Sequence, residues 1–351
     1  MEFSFYVLTI TLVVLTFLPF IKNQHWFFKV PDFGRIQILV LQVILWPISI
    51  FFLWTDINAI HTLIFILLSV AMGYQILILY PYIIIKNKVY NTKNKELISI
   101  LSVNVYQFNR QYQPLINLIR KTKPNIFITI ETDQKWEEAL SVFDHDYQHY
   151  KKIALDNTYG MHFYSNLKVS KIKTHYFVAD DIPSIEVHIT TAKGDSFILY
   201  GIHPPPASPT EEENSKEQDG ELMAIAKKSL TQQNSMIVVG DFNSVAWSRI
   251  TKLFAKVSGL IDARIGRGFI STFPAKYRLF KIPIDLVYHS KDITITQLKT
   301  LEDIHSDHLP LYLEFYINNK HPDTNTKVTK GVLEKTTKLI DEGINETSDN
   351  R

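Results

Sequence analysis

A set of polar residues in this chain of 351 amino acids sits where apolar runs end: Asn104, Glu131, His203, Asp241 with Asn243, Asp285, and Asp307 with His308. Strand ends at one edge of a sheet converge, so these side chains are expected to gather in one place. A carboxylate there is costly to desolvate unless a cation or a hydrogen-bond donor meets it, and several together imply metal-assisted chemistry. Oxygen donors in a chain without cysteine favour Mg2+ or Mn2+ over zinc. Taken one at a time, each residue has a plainer role. Asp241 in Gly240-Asp241-Phe242-Asn243 fits a strand-end turn. Glu131 fits a helix cap, Asp307-His308 after Ser306 another cap, His203 before Pro204 a bond to a backbone carbonyl, and Asp285 a pair with Lys281.

The elements that must position these residues are legible in the apolar periodicity. Strand patterns cover residues 97–105, 125–130, 161–165, 185–191, 196–203, 236–240, 284–288, 293–298 and 309–316. Helical spacing covers 112–122, 136–143, 221–230 and 248–257. The loop 204–220, rich in proline and glutamate, is long enough to be a functional loop. Strands alternating with few helices imply packed sheets with helices outside. Beyond residue 318 the chain is polar; Val332, Leu333, Leu339 and Ile340 would line a short amphipathic helix, but a frayed tail is the expectation.

Ahead of these elements the chain changes character. Residues 3–21, 36–54 and 57–85 are apolar stretches, each reaching the roughly 20 residues that cross a hydrocarbon core. The first lacks the basic flank and small-residue cleavage site of a signal peptide. Lys22, Lys29 and Arg35 flank the first connection, Asp56 is the only charge in the second, and Lys86, Lys88, Lys93 and Lys95 follow the third span. The positive-inside rule then places the amino terminus outside and everything after Lys86 in the cytoplasm. Trp26, Trp46, Trp54, Tyr80 and Tyr82 stand near span ends, as interfacial anchors do. Apart from His61, near the start of the third stretch, no ionisable residue lies within a span, so the helices read as an anchor and not a transport path. The expected organisation is a three-span anchor over 1–85, a basic linker over 86–95, a catalytic domain over 96–318 and a polar, disordered tail over 319–351.

In order and approximate spacing, Asn104, Glu131, His203, Gly240-Asp241-Phe242-Asn243, Asp285 and Ser306-Asp307-His308 resemble the motifs of the endonuclease/exonuclease/phosphatase superfamily across residues 96–317. The shorter runs Glu131-Thr132-Asp133, Asn157-Thr158-Tyr159-Gly160-Met161, Asp181-Ile182-Pro183-Ser184-Ile185, Ala246-Trp247-Ser248 and Gly266-Arg267-Gly268-Phe269 are similar to a bacterial subgroup with three N-terminal spans and a cytoplasmic-membrane address. The resemblance implies an α/β fold: a four-layer sandwich of two packed mixed β-sheets, here preceded by an all-α three-helix transmembrane region. It also implies hydrolysis of a phosphodiester or phosphomonoester by an in-line water. Glu131 would hold Mg2+, with Asn104 and Asp307 near the ion or its waters. Asp241 would orient and deprotonate the water, Asn243 would donate its amide to the phosphate, and Asp285 would fix His308 as the imidazolium that binds phosphate. His203 matches a position that assists the leaving group. Two departures stand out: Asp285-Leu286 replaces the Asp-His of many members, and Tyr106 stands where the apurinic-site branch has an acid. Arg267 and His305, in loops beside the motifs, are candidates to read the substrate.

Composition narrows the function further. Without cysteine there is no disulfide, thiolate nucleophile or iron–sulfur cluster, and 37 Lys+Arg against 35 Asp+Glu give no global positive field for nucleic acid. The leading expectation is a membrane-anchored hydrolase acting on a phospholipid or a small phosphoester. A nuclease of the same fold is the alternative, using a local basic groove from Lys168, Lys171, Lys173, Lys276 and Arg278. A catalytically inactive interaction module is opposed by the presence of both Asp241/Asn243 and Asp285/His308. No protein partner is implied.

Overall fold

The structure is a computed structural model describing residues 2–86, 89–277, 279–318 and 328–346. Lys88, Arg278 and both ends of the polar tail, named above, lie outside the described residues. The chain opens with α1 (Glu2–Phe17), the short α2 (Val30–Phe33), α3 (Arg35–Thr55) and α4 (Ala59–Ile83). Three helices, covering Glu2–Phe20, Arg35–Thr55 and Ala59–Ile83, are long and apolar enough to cross a membrane. Polar side chains join them across their shared interior: Gln42 Nε2 donates to Thr16 Oγ1 at 2.8 Å, Arg35 to Gln75 Oε1 at 2.7 Å, and Trp46 Nε1 to Ser69 Oγ at 3.0 Å. Such bonds hold helices together where the solvent gives no hydrophobic drive between them. At about 1.5 Å per residue α4 is about 37 Å long, so its end reaches past a hydrocarbon core of roughly 30 Å.

The rest of the chain runs β1 (Ile98–Asn104), α5 (Gln113–Thr122), β2 (Ile126–Ile130), α6 (Gln134–Leu140), β3 (His149–Ile153), β4 (Met161–Ser165), β5 (Lys168–His175), β6 (Ser184–Thr190) and β7 (Ser196–Ile202). It continues with α7 (Lys216–Ser229), β8 (Ser235–Asp241), α8 (Arg249–Ser258), β9 (Ile261–Asp262), β10 (Asp285–His289), β11 (Ile293–Thr300), β12 (Leu311–Ile317) and α9 (Lys330–Ile344). Two six-stranded sheets form, in the orders β11-β12-β1-β2-β4-β3 and β5-β6-β7-β8-β10-β9. Each is mixed: β1 and β2 are parallel, as are β7 and β8, among antiparallel neighbours. Ile100, Ile128 and Phe163 of the first sheet pack on Val187, Leu199, Val239 and Val287 of the second. The alternate residues Leu101, Val103 and Phe127 face Leu115 and Ile119 of α5 and Trp136 of α6, and Tyr200, Val238 and Tyr288 face Leu222 of α7 and Phe254 of α8. The architecture is the expected four-layer α/β sandwich. Strands covered on both faces read as continuous apolar runs, which is why the interior ones were visible in the sequence.

Three differences have physical causes. Strands β3, β5 and β9 were not anticipated; all lie at sheet edges, where Lys151, Lys152, Lys168, Lys171 and Lys173 interrupt the apolar pattern. Helix α7 begins inside the expected loop 204–220, with Glu217 and Asp219 in its first turn, where acidic side chains suit the helix dipole. The tail is not frayed over Lys330–Ile344: α9 lays Val332, Leu339 and Ile340 against the α7/α8 layer. Lys216 Nζ and Asn214 Nδ2 donate to the two oxygens of Glu346 at 2.5 and 2.9 Å. The close approach of α9 to α7 needs glycine, since a Cβ at Gly343 would sit 2.8 Å from the Lys216 carbonyl.

The helical bundle is seated on the sandwich and not merely tethered to it. Trp26 N–H donates to Glu213 O at 3.0 Å and Ser215 N–H to Gln24 O at 2.9 Å, and Lys29 pairs with Asp219 at 2.9 Å. Trp247 Nε1 donates to Asp32 O at 2.8 Å, Tyr82 OH to Ala246 O at 3.2 Å, and Gly266 N–H to Pro81 O at 2.8 Å. Leu79 and Tyr82 of α4 share an apolar cluster with Val245, Ala246, Trp247 and Ile284. The first connection and the sandwich therefore lie at the same end of the bundle. Replacing Trp247 by Ala removes a buried indole at a cost of about 3–5 kcal/mol. In hydrogen exchange on the detergent-solubilised protein, segments 24–32 and 262–268 are expected to exchange faster in the variant; unchanged protection would contradict the seating.

Candidate active site

Backbone pairing alone brings the polar set together. In the parallel pair β1/β2, Asn104 lies beside Ile130, so Glu131 follows at the same edge. In the parallel pair β7/β8, Ile202 lies beside Gly240, so His203 and Asp241 emerge together. Strand β10 runs the other way, with Asp285 directly opposite Asp241. Asp285 thus opens its strand, where the sequence reading had put it at a strand's end. Ser306, Asp307 and His308 come from the loop between β11 and β12. Ser306 Oγ fastens that loop, donating to Asn104 O at 2.8 Å while His308 N–H donates to it at 3.0 Å. The chain crosses closely at Gly240, with φ 149°, where a Cβ would lie 2.0 Å from Ile202 O.

His308 stands between two carboxylates. Its Nδ1 is 2.8 Å from Asp285 Oδ2 and its Nε2 3.5 Å from Asp241 Oδ2. Burial opposes charge on the ring, but Asp285 and then Asp241 outweigh it and raise the pKa to about 10; the ring is an imidazolium at neutral pH. Burial pushes the Asp241 carboxyl up, with His308 pulling it back. Asn243 N–H donates to Asp241 Oδ1 at 2.9 Å and Asn104 Nδ2 to Oδ2 at 3.2 Å. His203 Nε2 lies 4.0 Å from the same Oδ2. Burial lowers the His203 pKa to about 4, so it is neutral, and its Nδ1 has no hydrogen-bond partner among the described residues.

Glu131 Oε1 accepts from Asn104 Nδ2 at 2.7 Å and Oε2 from Gln107 N–H at 3.2 Å. Burial pushes its carboxyl up to about 7, and nearby Asp307 adds to the rise; Asp307 is itself raised, mainly by burial. Judged by exposed area, Glu131, Asp307 and Asn243 are half-buried, while Asn104, His203, Asp241, Asp285 and His308 are buried. The first group lines the mouth of the site and the second its floor.

Where a metal would sit follows from these charges. Asp241, Asp285 and His308 offer donor atoms within 4.8 Å of one another, a spacing that suits an ion. Yet both nitrogens of His308 face carboxylates, so the ring has no free lone pair to offer an ion there and its charge offsets one of the trio's two carboxylates. Glu131 and Asp307 lie outside that pairing, and their raised, crowded carboxylates and all-oxygen donors fit a hard divalent cation. Asn104 directs its amide at Glu131 and Asp241, and its oxygen accepts Tyr106 N–H at 3.0 Å; it orients the carboxylates, and a second lone pair on its oxygen is left for the ion or its waters. Asn243 Nδ2 donates to Pro204 O at 3.0 Å, which leaves a second amide hydrogen for a ligand.

Arg267 does not join the set. Its guanidinium donates to Ala263 O at 2.6 Å, Ile295 O at 2.6 Å and Tyr90 OH at 3.0 Å, so it ties the two sheets and the incoming chain, a structural role beside the substrate-reading one expected from the sequence. Lys168, Lys171 and Lys173 run along edge strand β5, with β6 and β7 between them and β8, so they form no groove with Lys276 at the site. Residues the sequence reading missed support the floor. The Phe273 ring lies 4.8 Å from that of His308 and Tyr159 5.2 Å from His203. Gln218 Nε2 donates to Phe242 O and Asn243 O at 3.1 and 2.7 Å. Tyr159 stands in one of the quoted runs, without a role assigned there; no sequence signal marks Phe273 or Gln218, because only the tertiary fold brings them near.

The sandwich is that of a known class of proteins. The profile of the Endonuclease/Exonuclease/phosphatase family matches residues 101–308, and the chain belongs to that family. Among solved structures it is similar to TDP2 from D. rerio in a form humanised by 14 mutations, at 16% identity and TM-score 0.53 over 62% of this chain and 98% of that one. It is also similar to an endonuclease/exonuclease/phosphatase family protein from Bacteroides thetaiotaomicron, at 17% and 0.52 over 65% and 98%. The human Nocturnin catalytic domain with bound sulfate matches at 16% and 0.50 over 64% and 98%. At such identities the likeness is one of fold. No curated protein matches the chain in sequence.

Two substitutions separate site from scaffold. Asp285→Asn removes the charge that holds His308 and is expected to lower kcat about 100-fold or more, with the fold intact by circular dichroism. Arg267→Gln is expected to lower the unfolding temperature and leave KM within twofold or so; a raised KM with unchanged stability would restore Arg267 to the substrate.

Proposed function

We propose that this chain is a membrane-anchored, divalent-metal-dependent phosphoester hydrolase, a phosphodiesterase or phosphatase using in-line attack of water. The observation that carries the reading is His308 held between Asp241 and Asp285, with Glu131 and Asp307 at the mouth above it. Mg2+ or Mn2+, held by Glu131 and Asp307 with Asn104 beside them, would supply charge stabilisation on the phosphoryl and leaving oxygens. Asp241, fixed by the Asn243 N–H and the Asn104 amide, orients the attacking water and takes its proton. His308, fixed by Asp285, donates to a phosphoryl oxygen, and this bond strengthens as negative charge builds there. Asn243 offers its second amide hydrogen to the same group. Neutral His203, beside Asp241, assists the leaving oxygen.

The three helices are read as spans, with the sandwich in the cytoplasm. Lys22, Lys29, Arg35 and Lys86 all stand at the end of the bundle where the sandwich is seated, and the positive-inside rule assigns that end to the cytoplasm. The resemblance to a bacterial subgroup makes the membrane the bacterial inner membrane.

A nuclease is the second reading. It is favoured by likeness to D. rerio TDP2 complexed with a single-strand DNA product, at 15% identity and TM-score 0.52 over 63% of this chain and 99% of that one. The balanced charge and the removal of the β5 lysines from the site oppose it.

The test uses the full chain in detergent with a chromogenic aryl phosphodiester and, separately, supercoiled plasmid. Turnover of the aryl ester is expected to need Mg2+ or Mn2+, to stop in chelator, and to fall about 1,000-fold in Asp241→Ala, with the plasmid left intact. Turnover indifferent to chelator and to Asp241 would overturn the assignment, and metal-dependent nicking lost in Asp241→Ala would put the nuclease first.

A further inference from the structure

The membrane bundle and the active site meet through one residue. The Phe273 ring rests 4.8 Å from His308 and packs on the cluster formed by Leu79 and Tyr82 of α4 with Trp247 and Ile284. The loops that continue from Asp241 and lead into Asp285 are the ones that carry Val245, Trp247 and Ile284. The edge of the sandwich that bears the site is therefore the edge seated on the spans.

Phe273 also begins a projecting loop. Residues 273 and 282 pair as an antiparallel bridge, and the Ala275 N–H donates to Asp307 O at 2.6 Å, so the root of the loop is fixed to both the site and the end of α4. Its outer part is apolar and uncovered: Tyr277, Leu279 and Phe280 are 55%, 85% and 61% exposed. Lys276 lies over the Tyr277 ring at 5.6 Å. Aromatic and leucine side chains beside lysines are the composition of a segment that rests in a headgroup layer. On the other side of the mouth, past Asn104, Phe108 is likewise exposed.

We propose that the loop from Phe273 to Ile282 lies on the bilayer that carries the three spans, and that the substrate is a lipid phosphoester presented by that same bilayer. The inference rests on the hydrolase reading and narrows its substrate. The occupant of the apolar rim is the bilayer because the rim continues the surface at which α4 leaves the membrane. A phosphate at headgroup depth then needs to move little to reach Asn243 and His308, while its acyl chains stay among lipids. Long acyl chains in water would instead have to be extracted at a cost in every methylene.

The test reconstitutes the full chain in proteoliposomes of phosphatidylethanolamine and phosphatidylglycerol. Because the chain has no cysteine, Leu279→Cys gives a unique site for a polarity-sensitive fluorophore, and Lys193→Cys, in the turn between β6 and β7 at the opposite edge, gives the aqueous reference. The label at 279 is expected to shift to the blue and to lose quenching by iodide, while the label at 193 stays quenched. Release of phosphorylated headgroup or phosphate is expected from these vesicles and not from the Asp241→Ala protein. The double variant Leu279→Ser/Phe280→Ser is expected to lower the ratio of lipid to soluble aryl phosphodiester turnover about tenfold; Phe108→Ser tests the opposite rim independently. A label at 279 as wet as that at 193 overturns the membrane contact. Turnover of the soluble ester without any of the lipid overturns the lipid substrate and leaves the hydrolase standing. Absence of both activities overturns the hydrolase reading and the lipid substrate with it.

Discussion

Two carboxylates facing each other across adjacent strands repel, and a buried pair of that kind needs a shared proton or a cation between them. Here the imidazole of His308 stands between them. Asp285 binds one ring nitrogen and Asp241 approaches the other, so three charges that would be costly to bury singly are buried together. Removing one member of such a set leaves an uncompensated charge, typically at about 3–5 kcal/mol. The arrangement depends on the register of β8 with β10, which sets Asp241 against Asp285, and on the Ser306 bridge that brings the loop of His308 to β1. The two sheets therefore meet through the site. Asn104 and Glu131 belong to the first sheet's edge, Asp241 and Asp285 to the second's, and the Asn104 amide spans the gap between Glu131 and Asp241.

The same edge receives the bundle of apolar helices. The loop following Asp241 runs directly into Trp247, whose indole reaches the backbone of Asp32 in the first connection, and Ile284, just ahead of Asp285, packs with Tyr82 of α4. A flexible tether would leave the catalytic face free to turn in any direction. Contact of two site-bearing loops with the helix ends gives the face a fixed attitude to the helices.

What was legible in the sequence follows from what lies on each face of a strand. Interior strands such as β1, β2 and β8 are covered on both faces and appear as unbroken apolar runs; β3 and β5, at the edges, carry lysines on an open face and were missed. The site was legible as polar residues interrupting those runs, because Asn104, Glu131 and Asp241 stop a strand by their chemistry. Asp285 was grouped with residues at strand ends although it precedes Leu286-Val287-Tyr288 and opens its own strand; what was not legible is that antiparallel pairing with β8 brings that start to the same edge. Arg267 resembled a substrate contact because its loop carries a motif-like pattern, and only the packed structure shows its donors committed to Ala263 and Ile295. The polar tail concealed α9 because a stripe as short as Val332, Leu339 and Ile340 acquires meaning only when a covering surface exists.

The central claim is that both nitrogens of His308 are engaged between Asp241 and Asp285, leaving Glu131 and Asp307 to hold the metal. Binding of Mn2+ to the full chain in detergent, followed by electron paramagnetic resonance, tests it most directly with Glu131→Gln and His308→Ala. The account predicts one tight Mn2+ that is lost in Glu131→Gln and kept in His308→Ala. Retention in Glu131→Gln with loss in His308→Ala would place the ion in the Asp241–Asp285–His308 trio and contradict it.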